Sequence, residues 1–357
     1  MVVVVGIDVH KDTHCAAAVD DVGRQLGAAR TFRTTDAGCL ALLRWAQREY
    51  GREGADGAEV LFAVEDCRHL TGRLERALLA AGARVVRVPP KLMAGARSSA
   101  RTRGKSDPID ALAIARAALR EPDLPVAEHS HTSREVKLLV DHREDLVAER
   151  TRMQNRLRWH LHELDPTIDP AKRGLDRTVE LDRVAQALGA LPAGTVRRLA
   201  LELVADIRTL TGRINSLERE LRELITAQAP QLLTLPGCGV LTAAKLVGET
   251  ARPSRFRSEA CFAMHAGVAP IPASSGRTNR HRLARGGNRQ LNAALHRIAI
   301  TQIRLDGLGR AYYQRRREQG DSTMEALRAL KRRLARVVFA LLAGTDDPAT
   351  TQLPQAA

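Results

Sequence analysis

Two apolar runs in the N-terminal third each end in an acid, and this pattern limits the folds open to the chain. The run 2–7 is apolar apart from Gly6, and Asp8 follows it. The run 61–64 is also apolar, and Glu65 follows it. Short apolar runs of this kind are typical of buried strands. Because an unpaired buried carboxylate is costly, we expect both acids to share a function, and a divalent metal explains them best.

The order of predicted elements indicates an α/β fold for the first 90 residues. The patterns predict strands at 2–9, 14–19 and 25–34, a helix at 37–50, a strand at 60–64, a helix at 69–81 and a strand at 84–88. Three strands followed by helix, strand, helix and strand describe a mixed sheet. Its two acid-ended strands would lie side by side.

A small, basic stretch at 91–106 follows, and it contains no acid. It is too long for an ordinary connection, so we predict a functional loop, with plain disorder as the alternative. Its candidate nucleic-acid contacts are Arg97, Arg101, Arg103 and Lys105. Ser106 then has the position of a helix N-cap, with Pro108 in the first turn of a helix that runs to about Arg120.

Two further acids, Asp107 and Asp110, open this helix and share one of its faces. They could simply favour the helix N-terminus electrostatically. If they join Asp8 and Glu65, each close pair of carboxylates costs roughly 1–4 kcal/mol. Mg²⁺ relieves that repulsion, and paired ions activate oxygens in phosphoryl transfer. We predict that the four acids bind Mg²⁺, and we treat His10 as a surface or supporting residue.

The charge of the chain points to a polyanionic partner. It carries 56 Lys and Arg against 41 acids, a formal +15, and most of the excess lies at 252–336, with 19 Lys and Arg against five acids. Such clustering favours a phosphate-facing surface over an Arg-rich proteome. Aromatic residues make up only 3%, which argues against base stacking as the main contact.

The middle of the chain predicts two long helices. The first is at 132–164. The second has a 4-3 apolar repeat that is typical of a coiled-coil seam, formed by Leu203, Ile207, Leu210, Ile214, Leu217, Leu221 and Leu224. The helices could pair within one chain or across a homo-oligomer, a dimer or tetramer. Five scattered cysteines and no apolar segment of membrane length suit a cytoplasmic protein without zinc.

Two C-terminal segments suggest contact with DNA. Gly237 and Gly239 lie in a Pro-Gly-x-Gly turn that resembles a helix-hairpin-helix, where a helix N-terminus can hold a phosphate; a plain helical turn is the alternative. Further on, Ser274 and Ser275 precede a group of arginines, Arg277, Arg280, Arg282, Arg285 and Arg289. A positioned serine can attack a phosphodiester while Arg stabilises the charge. An ordinary Ser-Gly turn in a basic DNA-binding loop is equally open.

The N-terminal motifs resemble a known family. GIDVHKDTH near the start, VED at 64–66 and KSDPIDALAIARAAL at 105–119 are similar to the RuvC-like domain of insertion sequence 110 transposases, relatives of the Piv-type DNA invertases. The resemblance implies an RNase H-like fold with an Asp-Glu-Asp-Asp tetrad at Asp8, Glu65, Asp107 and Asp110. One difference is local: the family's Ala-Thr-Gly-x-Tyr after the Glu is replaced by the sequence at 66–70.

The C-terminal motifs extend the resemblance to most of the chain. Ala-Gly-x-x-Pro, Ser-Gly and Arg-Gly-Gly-Asn-Arg occur in the family's order. The family's proposed nucleophile is a Ser directly before Gly, which is Ser275 here, with Ser274 as the fallback. The resemblance further implies a phosphoserine intermediate, strand exchange through a junction, a circular excised element, and guidance by an element-encoded bridge RNA.

These observations predict an RNase H-like domain at 1–125, long coiled-coil helices at 130–228, a helical transposase domain at 229–343 and a disordered tail at 344–357. The predicted activity is DNA transposition or site-specific recombination. One alternative is a metal-only junction-resolving nuclease with water as its nucleophile. Another is a non-catalytic nucleic-acid-binding protein whose four acids are structural.

Overall fold

The computed structural model describes residues 2–51, 59–66, 68–98, 106–128, 131–273, 281–282, 284 and 286–344. The chain forms two compact units. The first unit combines the chain up to residue 131 with the chain from residue 250 onward, and the second is 132–249. Among the described helices, none is long and apolar enough to cross a membrane.

A five-stranded mixed sheet forms the centre of the first unit. Its strands are β1 Val2–Val9, β2 Thr13–Val19, β3 Gln25–Arg33, β4 Glu59–Glu65 and β5 Arg84–Val88. They lie in the order β3-β2-β1-β4-β5. The first three strands are antiparallel neighbours, whereas β4 runs parallel to β1 and β5 parallel to β4. The predicted mixed α/β sheet is thereby confirmed.

Helices cover both faces of this sheet. They are α1 Asp36–Tyr50, α2 Arg68–Ala80, α3 Pro90–Ser98 and α4 Asp107–Arg120. Val3, Val5 and Ile7 of β1 belong to the core that includes α1 and α2, whereas Val4 belongs to the core that includes α3 and α4. Because side chains alternate along a strand, the even-numbered positions of β1 face α4.

The predicted loop at 91–106 is wrong in its first part, because α3 occupies Pro90–Ser98. Met93 and Ala96 are buried in the core beside α4, and this packing outweighs the small, flexible composition that suggested a loop. Arg97 lies within α3, although its side chain is outside the description. Arg101, Arg103 and Lys105 lie outside the described residues.

Five helices build the second unit and its edge: α5 His131–Leu164, α6 Thr178–Ala190, α7 Thr195–Gln228, α8 Pro230–Leu233 and α9 Val240–Thr250. Helices α5 and α7 pack antiparallel within one chain. Arg143 pairs with Glu218 at 2.6 Å, while Arg150, further along α5, donates to Thr211, which is earlier in α7. The predicted apolar repeat supplies the contact, with Leu203, Ile207, Leu210, Ile214 and Leu221 buried.

The C-terminal part of the first unit is helical apart from one short pair of strands. Its elements are α10 Glu259–His265, β6 Ile271–Pro272, β7 His281–Arg282, α11 Arg289–Arg304, α12 Leu308–Glu318 and α13 Thr323–Ala343. Phe256, Phe262 and Phe339 pack their rings together, with centroid distances of 5.3–6.5 Å. Arg332 of α13 forms two hydrogen bonds with the Glu259 carboxylate, which fixes α13 against α10.

Ion pairs join this C-terminal part to the sheet-containing part within the first unit. Arg257 lies 3.1 Å from Asp123, and Arg252 lies 3.1 Å from Glu128. Arg255 and Arg257 also line a small cavity with residues of the segment after α4. The two ends of the chain therefore pack together without a second protomer.

Candidate active site

The strand register brings Asp8 and Glu65 next to each other. Ile7 of β1 is opposite Val64 of the parallel strand β4, and the next residue along each strand is an acid. Asp8 shares its face with Val4, and Glu65 shares its face with Ala63, so both acids are on the side of the sheet covered by α4. The two acids that end the apolar runs are therefore neighbours at one edge of the sheet.

A glycine lets α4 approach these acids closely. A Cβ on Gly6 would lie only 2.1 Å from the Ala111 carbonyl oxygen and 2.4 Å from the Ala115 nitrogen. Helix α4 therefore packs directly on the backbone of β1 through Ala111 and Ala115, which lie one and two turns after its first residue. This contact delivers Asp107 and Asp110 of α4 to the strand end that carries Asp8.

The start of α4 forms where the sequence predicts it. Ser106 has an extended backbone and occupies the N-cap position, and a proline follows within the first two helical positions. The Ser106 side chain makes no capping hydrogen bond, but its carbonyl accepts from the Asp110 amide at 3.0 Å. Asp110 is buried, whereas the Asp107 side chain is 56% exposed.

His10 is the site residue whose position the sequence did not predict. Its Nε2 lies 3.1 Å from Asp8 Oδ2 and 3.3 Å from Asp107 Oδ1. Asp8, His10 and Asp107 offer ligand atoms that all lie within 4.8 Å of one another. The only sign of this role in the sequence is the position of His10, two residues after Asp8 and just beyond the end of β1. His10 links the strand acid to the helix acid.

The electrostatics of Asp8 reflect a crowded acidic site. Burial is the largest cause that raises the pKa of the Asp8 carboxyl; His10 lowers it, and the charges of Asp110 and Glu65 raise it further. Like charges near a buried carboxyl destabilise its ionised form. Oxygen donors with excess negative charge are the ligands that hard divalent cations prefer, so this donor set suits such an ion.

Cys15 lies directly opposite Asp8 in the β1–β2 pair. Burial, together with the charges of Asp107 and Asp8, raises the pKa of the Cys15 thiol to about 11. The thiolate is the reactive form of cysteine, so this thiol stays protonated at neutral pH. Cys15 is therefore part of the packing behind the acids and no candidate nucleophile.

The Pro-Gly turn lies between α8 and α9. Gly237 has φ +85°, a conformation that favours glycine. The Gly239 carbonyl accepts from the amides of Thr242 and Ala243 at 3.0 and 2.9 Å and so begins α9. The turn joins the four-residue helix α8 to α9; the helix-hairpin-helix and its contact with a phosphate stay predictions.

The segments on either side of the predicted nucleophile are locked together. A Cβ on Gly287 would lie 2.3 Å from both the nitrogen and the Cα of Gly267. The Asn288 amide donates to the His265 carbonyl at 2.6 Å. Asn292 Nδ2 donates to the carbonyls of Ala266 and Gly267 at 3.1 and 2.9 Å. The Ala-Gly and Gly-Gly-Asn motifs therefore form one crossing, which we call the glycine crossing.

The predicted nucleophile Ser275 and its fallback Ser274 lie outside the described residues, as do three predicted DNA contacts, Arg277, Arg280 and Arg285. Arg282 is exposed on β7, and Arg289 is the exposed first residue of α11. Near this region, Lys91 of α3 lies within 3.7 Å of the position that a Gly286 Cβ would take.

Comparison with known proteins gives matches at both ends of the chain. A model of IS110-type DEDD transposases matches residues 5–166, which include all four acids. A model described as transposase IS116/IS110/IS902 family matches residues 229–314, which include the Pro-Gly turn and Ser275.

Individual relatives align over nearly the whole chain. An uncharacterized 44.8 kDa protein of insertion element IS116 from Streptomyces clavuligerus is 30% identical over 98% of this chain and 97% of its own length. An uncharacterized 42 kDa protein of insertion element IS900 from Mycobacterium paratuberculosis is 27% identical over 97% of both chains. The transposase for IS1111A from Coxiella burnetii is 23% identical over 76% of this chain and 70% of its own.

Proposed function

The chain belongs to the IS110 family of insertion-element transposases, and we propose how its residues cut and rejoin DNA. It is a DNA transposase, and its DEDD-type domain indicates divalent-metal-dependent nuclease activity on an RNase H-like fold.

We assign the metal site to Asp8, Glu65, Asp107 and Asp110, and the metal to Mg²⁺. The observation that carries this assignment is the convergence of the acids: the β1–β4 register sets Asp8 beside Glu65, and the contact of α4 with Gly6 brings the helix acids to Asp8, with ligand atoms of Asp8 and Asp107 within 4.8 Å of each other. When bound, the metal would polarise the scissile phosphoryl group and stabilise charge on its oxygens. The acids hold it, and His10 keeps Asp8 and Asp107 in place.

Ser275 is the proposed nucleophile. Its Oγ forms a bond to the scissile phosphorus as one sugar oxygen leaves and takes up a proton, which produces a phosphoserine link. A sugar hydroxyl of the incoming strand then attacks the same phosphorus, releases Ser275 and joins the strands. Arg277 and Arg280 would stabilise charge on the phosphoryl oxygens. The glycine crossing supports this role, since it fixes both ends of the segment that carries the serine.

The partners follow from the family. DNA is the substrate of a transposase, and we propose two further partners on the resemblance: an element-encoded bridge RNA that specifies target and donor, and further copies of the chain assembled by α5 and α7. Arg97, Arg101, Arg103 and Lys105, together with Gly237 and Gly239, are the proposed phosphate contacts outside the serine segment.

A plasmid excision assay tests the two halves of the site. Asp8→Asn should abolish excision because it removes a metal ligand, and Ser275→Ala should abolish it because it removes the nucleophile. Asp21→Asn is the matched control, because Asp21 is exposed just beyond the end of β2 that pairs with Val4, away from Asp8.

Trapping of a protein–DNA adduct separates this mechanism from a metal-only nuclease. The wild-type protein should form an adduct that maps to Ser275, and none should form with Ser275→Ala. If Ser275→Ala excises normally while Asp8→Asn is inactive, the serine mechanism is wrong and water is the nucleophile.

A further inference from the structure

A cationic cavity of about 480 Å³ lies in the C-terminal part of the first unit. Its wall comes from the turn after α10, from β7, and from helices α12 and α13. Six Lys or Arg side chains line it, against two acids. Its volume is within the usual range for ligand sites, roughly 300–1,000 Å³.

Lys331 is the unusual member of this lining, because its ammonium is buried. The residue is only 7% exposed, and its Nζ donates to Asn292 Oδ1 at 2.5 Å. Among the described residues, no carboxylate lies within ion-pair distance of it. Burial, and secondarily the charge of Arg328, lowers the pKa of Lys331. A buried cation without an anion is costly, so an anion in the cavity would offset that cost.

The two acids of the cavity pair with groups other than Lys331. Asp321 accepts from Arg316 at 2.6 Å, and Glu325 forms the capping box with Ser322 at the start of α13. Neither carboxylate is paired with Lys331 in the described structure. Three of the six lining cations have carboxylate partners, namely Arg316 with Asp321, Arg328 with Glu325 and Arg332 with Glu259, whereas Lys331 has none among the described residues.

Two further arginines add to this charge. Arg333 lies over the Tyr312 ring, with 4.8 Å between the guanidinium carbon and the ring centroid, and Arg282 of β7 lines the cavity and is exposed. In the part of the chain that the structure describes, neither forms a salt bridge. Planar guanidinium groups match phosphate oxygens in geometry and charge.

Lys331 also connects the cavity to the glycine crossing. Its acceptor, Asn292, is the side chain that donates to the carbonyls of Ala266 and Gly267. Gly267 of the glycine crossing and Arg282 of β7 both line the cavity. The cavity is therefore built partly from residues that flank the serine segment in sequence.

We propose that this cavity binds a backbone phosphate of a nucleic-acid strand, with Lys331, Arg333 and Arg282 as its ligands. The proposal rests on the proposed function for the identity of the strand, and it adds a site that holds the strand next to the glycine crossing. Binding at this site requires neither the metal nor the serine.

Binding of the full-length protein to duplex DNA, measured by fluorescence anisotropy over a salt series, tests this proposal. Lys331→Gln removes the charge but keeps a side-chain N–H donor, so affinity should fall roughly tenfold and the log–log salt slope should become shallower by about 0.9. Lys331→Arg keeps the positive charge and should bind DNA with wild-type affinity. Arg304→Gln, an equal charge change at an exposed residue outside the cavity, should leave affinity within about twofold of wild type.

Two further measurements separate the possible outcomes. Thermal unfolding of Lys331→Gln should occur at or above the wild-type temperature, because a desolvated charge has been removed; a purely structural lysine would instead lower it. A parallel series with an RNA hairpin tells whether the phosphate belongs to DNA or to RNA. Unchanged binding of both nucleic acids by Lys331→Gln and by Arg333→Gln would overturn the proposal.

The same variants distinguish this proposal from the proposed function. Asp8→Asn should bind DNA normally while excision is lost. If Asp8→Asn excises normally, the metal assignment fails, and the phosphate site is still judged on binding alone.

Discussion

Gly6 offers the sharpest test of how the fold builds the acidic site. In Gly6→Ala the new Cβ would lie 2.1 Å from the Ala111 carbonyl oxygen, whereas ordinary contact begins at 3.4 Å. The obstacle is helix backbone, which no side-chain rotation can move. Because repulsion at such distances is steep, α4 must retreat from β1 by roughly 1 Å.

This retreat affects only half of the site. Asp107 and Asp110 move with α4, while Asp8 and Glu65 stay with the sheet. A misplacement of about 1 Å can lower a rate about 100-fold, so we expect excision to fall by about that factor. Overpacking of this kind costs about 1–3 kcal/mol of unfolding free energy, which leaves most of the protein folded at the assay temperature.

Excision assays and thermal unfolding on the same preparations measure both effects. Gly189→Ala is the control, because a Cβ there meets nothing within 4 Å; it should retain wild-type excision. The reasoning is refuted if Gly6→Ala excises at the wild-type rate. It is also refuted if excision falls only in proportion to the unfolded fraction, since placement of the acids would then be irrelevant.

Two other substitutions test the site and the core. His10→Ala should reduce excision about 10–100-fold and raise the Mg²⁺ concentration that excision requires. Its unfolding free energy should stay within about 0.5 kcal/mol of wild type, because the side chain is 47% exposed. An unchanged Mg²⁺ titration would contradict the role given to His10. Arg87→Ala removes the guanidinium that donates to both oxygens of Glu75, whose side chain is 1% exposed, and should cost about 3–5 kcal/mol in denaturant unfolding. Arg84→Ala, on the same strand β5 as Arg87, breaks an exposed pair with Glu59 of β4 and should cost only about 0–1 kcal/mol; equal losses in the two variants would contradict the expected effect of burial.

The sequence predicted best the elements whose burial imposes a clear pattern. The apolar runs of β1 and β4 and the Ser-Asp-Pro start of α4 each occur where the structure has them. Alternation along a strand then explains why Asp8 faces α4.

Other features depend on contacts between distant residues, which no local pattern reveals. Helix α3 is held by the burial of Met93 against α4, while its composition alone suggests a loop. The contact of His10 with Asp107 joins residues almost 100 positions apart. A lysine in a basic helix is predicted from sequence to be a solvated surface residue. Only the packing around Lys331 shows that its charge is buried.

The pairing of the long helices was open for a similar reason. A 4-3 repeat specifies an apolar seam but not the helix that covers it. The cross-contacts Arg143–Glu218 and Arg150–Thr211 fix an antiparallel pair within one chain. The assembly of several copies through these helices stays a prediction.

The glycine crossing has a consequence for how such an enzyme can diversify. Because Gly267 and Gly287 meet backbone to backbone, the fold itself closes the chain between them into a loop. The entropy of loop closure changes by only about 0.6 kcal/mol for each doubling of length. Insertions between residues 273 and 281 should therefore be tolerated thermodynamically, so the predicted DNA-contacting segment can vary in length while its anchor remains constant.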